Sequence, residues 1–282
     1  LSKAPRPKPP AKRAAPPVRD KVVTNKTFTV ESWTGADEGE KIILYGRSGI
    51  GKTTLASMAP NPVIIGLDDG GRKIRNPKTG KPLKRVPEVE TFEDVRAVLQ
   101  SNVLNDFETI IIDTITELQS LALQGTFNRV SGPKGSTAQN IEDYGYGKGY
   151  RHWYDTTRLI LSDCDRHVRA GRNILMLAQR ATRKKANPGG EDYLMDTPDL
   201  YNSKDISILD AYIAWADHVL RMDYAGTVVD SDRKISGGGM RAVYVQPEAH
   251  FEAKSRTIPI EYDVVQFEKP EDDSVWRLVF GG

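Results

Sequence analysis

Cysteine is nearly absent. Cys164 is the only one in 282 residues, so the chain can close no disulfide within itself and build no cysteine-based zinc site. Long apolar runs are missing as well. None approaches the ~18 residues needed to span a bilayer, and no membrane role is expected. The first residues carry no apolar leader core, and with so little cysteine a reducing, cytoplasmic setting is expected. Acids are scarce at the N-terminus: residues 1–26 hold eight Lys or Arg and one Asp, a net of +7. Because the whole chain carries +2, the other 256 residues carry −5. Six prolines fall between Pro5 and Pro17 and almost nothing there can build a core. Residues 1–25 are therefore expected to be a disordered basic tail, with residues 26–282 forming one domain. Such a tail serves either as a solubiliser or as an electrostatic arm for phosphate backbones or an acidic partner.

What is present is a regular alternation of apolar strands and amphipathic helices. A short strand is expected at Thr27–Trp33. Ile42–Tyr45, Val63–Leu67, Thr109–Ile112 and Asn173–Ala178 are short continuous apolar runs, as in strands buried on both faces of a parallel sheet. A fifth strand is expected at His218–Asp223. Helices are expected at Lys52–Met58, Thr91–Val103 and Ser207–Asp217, and the longest within Gly149–Ala170. There Tyr150, Trp153, Tyr154, Thr157, Ile160, Leu161, Cys164 and Val168 form one stripe. That stripe puts Cys164 in the core and argues against a catalytic thiol. The segments MRAVYVQ and SVWRLVF read as antiparallel strands closing one edge. The expected fold class is α/β, a mainly parallel central sheet flanked by helices with antiparallel C-terminal edge strands.

Gly46-Arg47-Ser48-Gly49-Ile50-Gly51-Lys52-Thr53 matches G-x-x-x-x-G-K-[ST] at every fixed position, between a buried strand and a helix. Glycines let the backbone N–H groups turn inward onto phosphate oxygens. Lys52 adds a cation for the β- and γ-phosphates, and the Thr53 hydroxyl is a ligand for Mg²⁺. The helix N-terminus faces the same anion. Nucleotide contacts are therefore expected from Gly46 to Thr54. Thr109-Ile110-Ile111-Ile112-Asp113 then supplies an apolar strand ending in an acid for the magnesium shell, 61 residues beyond Lys52. ATP and Mg²⁺ are the expected cofactors. Hydrolysis also needs a group to orient or deprotonate water. Asp68 and Asp69 end the second strand, where ligands of open α/β sheets sit, and Asp68 is the preferred candidate. Glu117 is a third, although a charge there also complements a helix start. Gln179 ends the fourth strand, positioned to hydrogen-bond a γ-phosphate or to be an ordinary strand-end polar residue.

In order, YGRSGIGKTT, VIIGLDDGG, ETIIIDTITEL, NILMLAQR and FEAKSRTIP resemble the compact RecA-like ATPases of bacteriophages. These are core-only relatives of RecA that include the Sak-type single-strand annealing proteins. The resemblance covers roughly residues 38–260. It implies a RecA-like P-loop NTPase core and a strand-end catalytic base falling on Asp68, where the family usually has Glu. It also implies self-association in a ring or filament with active sites at subunit interfaces. Lys254-Ser255-Arg256 resembles the K-x-R pair that reaches a neighbour's γ-phosphate. Independently of the resemblance, alternate residues of an extended segment share a face, so the two cations can act together or remain solvated charges on an edge strand.

Three segments are candidates for nucleic acid. Gly70–Pro87 has seven Lys or Arg and no acid. Arg180–Gly190 is a cationic loop ending in Asn-Pro-Gly-Gly. Gly125–Gly149 is rich in glycine and contains Tyr144 and Tyr146, a candidate stacking platform for unpaired bases. The function expected is a Mg²⁺-dependent ATPase that binds single-stranded DNA and promotes annealing or strand exchange in phage recombination or replication. A single-strand DNA-binding protein is a further candidate partner. The alternatives are a helicase-type motor or its loader, and a nucleotide-dependent switch without DNA. A small-molecule phosphotransferase is disfavoured because no acceptor lid is evident.

Overall fold

The computed structural model describes residues 37–281 except 226–227, 230–234 and 237–238, together with Thr29, Val30, Ser32 and Gly35. The basic tail over 1–25 lies outside the described residues, as does most of the strand expected at Thr27–Trp33; its described members Thr29, Val30 and Ser32 are in no strand. Gly237 and Gly238 also lie outside them. Contacts divide the chain into Leu1–Gly35 and Ala36–Gly282, and every strand and helix among the described residues belongs to the second unit.

Twelve strands are β1 (Lys41–Gly46), β2 (Pro62–Gly66), β3 (Lys84–Arg85), β4 (Thr109–Asp113), β5 (Asn173–Lys185), β6 (Tyr193–Pro198), β7 (His218–Tyr224), β8 (Val228–Val229), β9 (Ile235–Ser236), β10 (Arg241–Tyr244), β11 (Lys254–Ser255) and β12 (Val264–Phe267). With these twelve strands, the described residues form six α-helices: α1 (Lys52–Ala56), α2 (Phe92–Gln100), α3 (Ile115–Arg129), α4 (Lys148–Val168), α5 (Ile208–Trp215) and α6 (Ser274–Phe280). The main sheet runs β12-β10-β7-β1-β5-β4-β2-β3. From β7 to β3 every neighbouring pair is parallel, while β10 and β12 add antiparallel edge strands. The expected fold class is the observed one.

Strand periodicity divides the core into two layers. On β1, Ile43 and Tyr45 pack with α2, α3, α4 and α5, whereas Ile42 and Leu44 pack with α1 and α6. Residues two apart share a sheet face, so one strand sequence serves both sides. The α4 stripe is buried as its spacing demands, and Cys164 is fully enclosed. Side-chain caps start three of the described helices: Thr91 and Asp94 form a capping box on α2, Thr114 accepts from the Glu117 N–H on α3, and Ser207 accepts from the Asp210 N–H on α5.

Two expectations are corrected. SVWRLVF is not an edge strand but α6. Val275, Trp276 and Val279 recur at helical spacing and are buried, and the Trp276 indole N–H donates to Leu55 O at 2.7 Å, joining α6 to α1. Its branched and aromatic composition suits a strand, but the available partner is a helix. Arg180–Gly190 is not wholly a loop either. β5 continues through Lys185 and pairs antiparallel with β6, from Arg180↔Pro198 to Lys185↔Tyr193.

Candidate nucleotide and catalytic site

The site forms where β1, β4 and β2 end, beside Gln179, which lies midway along β5 rather than at its end. Gly46 is level with Gln179 on β5, and Asp113 is level with Gly66 on β2. Gly46 has no room for a side chain, since a Cβ there would lie 2.3 Å from Met222 O. Gly51 turns the chain into α1 with φ of 108°, a left-handed geometry that favours glycine. A cavity of about 230 Å³ opens over this turn, lined by Ser48, Lys52, Thr53, Asp68, Asp113 and Gln179 among others. A larger open groove of about 610 Å³ beside α6 contains none of the motif residues.

Within the cavity, Thr53 Oγ1 donates to Asp113 Oδ2 at 2.7 Å. Lys52 Nζ donates to Gly46 O and Arg47 O at 3.0 Å each, and to Gln179 Oε1 at 3.2 Å. The Gln179 N–H donates to Thr116 Oγ1 at 3.0 Å, which ties the middle of β5 to the start of α3. Burial lowers the pKa of Lys52, opposed by Asp113 and Asp68. Burial raises that of Asp113, opposed by the Thr53 hydroxyl and Lys52 and reinforced by Asp68. A cation and an anion are thus both held partly desolvated before any ligand arrives. A hydroxyl beside a single carboxylate fits Mg²⁺, which takes one or two protein oxygens, substrate phosphates and water. The described residues contain no cluster of three or more His, Cys, Asp or Glu able to hold a metal alone.

Asp68 is exposed at the cavity rim, where its Oδ1 accepts from the Gly70 N–H at 2.8 Å. Asp69 starts a short 3-10 turn, Asp69–Gly71, and its side chain lies outside the described residues. Glu117 is exposed in the first turn of α3 and does not line the cavity. Lys52, Thr53, Asp68, Asp113 and Gln179 are therefore brought together. Lys254 and Arg256 are not. They lie on and beside β11, opposite His218 and Val219 at the start of β7, the end away from the phosphate loop. Lys254 Nζ donates to Ile213 O at 2.8 Å and Ala216 O at 2.6 Å, and Arg256 reaches Ala214 O at 3.2 Å and Asp217 at 3.1 Å. In the single chain both stabilise the negative end of α5.

An ionic cluster adjoining the site carries no local sequence signal. Arg180 and Arg221 share Asp196 and Asp223, and Arg47 of the phosphate loop approaches Asp223 at 3.8 Å. Arg221 also lies over the rings of Tyr244 and Phe251. These residues come from β5, β6 and β7, so only the sheet order unites them.

The candidate nucleic-acid segments differ in how far their charges are already used. On the β5–β6 hairpin, Arg180, Arg183 and Lys184 are all ion-paired. Tyr144 is no stacking platform. It is buried against Phe127 and His152, and its hydroxyl donates to Val130 O at 2.8 Å, whereas Tyr146 is fully exposed. In Gly70–Pro87, Lys78 pairs with Asp273, Arg75 closes on Gly80 O and Lys84 lies over Phe107. Arg72, Lys73, Lys81 and Arg85 are exposed there and form no ion pair among the described residues.

A family model described as an AAA domain matches residues 38–257. No curated protein matches the chain.

Proposed function

Because this chain belongs to the AAA domain family of P-loop ATPases, we propose that it hydrolyses MgATP, assembles with copies of itself and acts on single-stranded DNA. Promotion of annealing or strand exchange, as the phage resemblance implies, is the task that reading assigns. The observation that carries the ATPase is the convergence of Thr53 on Asp113 at 2.7 Å and Lys52 on Gln179 at 3.2 Å in one cavity. Lys52 holds the β- and γ-phosphates. Thr53 and Asp113 would hold Mg²⁺, which would neutralise charge on the phosphates. Asp68, at the rim, orients and deprotonates the attacking water. Gln179 exchanges its bond to Lys52 for one to the γ-phosphate and so registers its loss. Arg256, more than half exposed at its side chain, serves a neighbour's site.

The exposed cations Arg72, Lys73, Lys81 and Arg85 support DNA contact, because their segment begins directly after Asp68 and links backbone phosphates to the position of the water. ATP turnover of the full chain is expected to rise several-fold with single-stranded DNA, and the stimulation to fall as salt increases. Lys52→Ala provides the blank. A second reading, a nucleotide-dependent switch without DNA, draws on the hairpin cations already being ion-paired and on the buried Tyr144. Turnover unaffected by DNA at low salt favours that reading and overturns the first.

A further inference from the structure

Arg241 opens β10, opposite Tyr224 at the end of β7, and so stands at the phosphate end of the sheet on the side away from β5. The atoms nearest to a Cβ built on Gly51 are Arg241 Nη1 at 3.5 Å, Arg241 Cζ at 3.6 Å and Met222 Cε at 3.6 Å. Its guanidinium therefore lies against the turn whose next residue is Lys52. Its Nε is buried and has no hydrogen-bond partner, and the side chain forms no ion pair among the described residues. A buried cationic donor left without an acceptor is costly. Arg221 also has an unpartnered buried Nε, but its guanidinium, like that of Arg180, is paired with Asp196 and Asp223, whereas that of Arg241 is paired with no carboxylate among the described residues. Successive N–H groups of the loop face the phosphate chain, and this guanidinium sits beside them.

We infer that Arg241 is a second, same-chain cation for the nucleotide, acting on the α- and β-phosphates rather than the γ-phosphate. The side it occupies makes that distinction. Gln179, Asp113 and Asp68 mark the γ-phosphate end over β5, β4 and β2, whereas Arg241 borders the loop from β7 and β10. A planar guanidinium suits two phosphate oxygens at once. The inference rests on the reading of this cavity as a nucleotide site.

The test is equilibrium binding of MgADP and MgATP to the full chain by calorimetry, with thermal melting of the nucleotide-free protein alongside. Arg241→Gln is expected to weaken both nucleotides by about tenfold and to melt no lower than the parent without nucleotide. Arg241→Met is measured in parallel, so that poor folding of one variant does not remove the test. Unchanged affinity for both nucleotides overturns the inference, as does a loss confined to MgATP, which moves Arg241 to the γ-phosphate. If the parent binds neither nucleotide, the nucleotide reading itself falls. If the parent binds and Lys52→Ala does not, while Arg241→Gln binds normally, only the role of Arg241 falls.

Discussion

Asp113 lies at the end of a wholly buried strand, 4% exposed, with the Thr53 hydroxyl as its hydrogen-bond donor. Burial raises its pKa, so in the folded chain the carboxyl holds its proton more tightly than when unfolded. A group raised in this way contributes stability below its unfolded pKa, near 3.8, and that contribution is lost as pH rises through the folded value. At neutral pH the charge is a cost that a bound Mg²⁺ would relieve. Asp113→Asn keeps an oxygen for Thr53 and removes the charge. The nucleotide-free variant is expected to melt as high as the parent or a few degrees higher, while stabilisation by MgADP falls. Melting curves with and without MgADP at pH 7 check both halves. A variant destabilised without ligand and still protected by MgADP contradicts the assignment.

The β5–β6 hairpin depends on charge placement rather than apolar area. Asp196 accepts from Thr182 at 2.6 Å, Arg221 at 2.9 Å and Arg180 at 3.2 Å. Burial opposes its ionisation, but the hydroxyl and the two guanidinium groups outweigh burial and hold its pKa below the ordinary carboxylate range. For a depressed pKa the stabilisation is present above the unfolded value, near 3.8, and is lost as pH falls through the folded one. Asp196→Ala leaves two largely buried guanidinium groups short of an anion and is expected to cost about 3 kcal/mol. The loss should be full above about pH 4 and shrink as pH falls from there through the lower folded pKa, where the parent loses the same charge. Urea unfolding at pH 7 and at successively lower pH below about 4 measures it. A loss that stays constant down to the acid unfolding of the parent points to packing instead. This cluster was not legible in the sequence, because Arg180, Asp196, Arg221 and Asp223 meet only once β5, β6 and β7 take their places.

At the scale of the whole molecule, the open matter is whether one chain completes its own site. Arg256 lies at the end of β7 away from the phosphate loop, so it can serve only a neighbour's γ-phosphate. If it does, turnover per chain rises with protein concentration, and Arg256→Ala keeps ATP affinity while losing turnover by about a thousandfold. Mixing Arg256→Ala with Lys52→Ala restores part of the activity, because one mixed interface joins an intact loop to an intact arginine. Absence of recovery in chains shown to co-assemble leaves Arg256 as a cap on α5. Turnover independent of concentration has the same meaning.

The sequence by itself determined what local rules govern. The phosphate loop is legible because its spacing is a requirement of backbone geometry, and the strands β1, β2, β4 and β5 because a doubly buried strand must be apolar throughout. The α4 stripe follows from helical spacing, and Asp113 is legible as the acid that ends an apolar strand. Only the tertiary structure decided the rest. SVWRLVF became α6 because α1 presented Leu55 O and an apolar face to it. Tyr144 turned inward because Phe127 and Val130 offered a ring and a carbonyl. Arg241 came to the phosphate loop through the pairing of β10 with β7, nearly 200 residues beyond Gly46 along the chain. Local spacing constrains neighbours along the backbone, but a charge's partner depends on which strands lie side by side, and long-range packing alone sets that order.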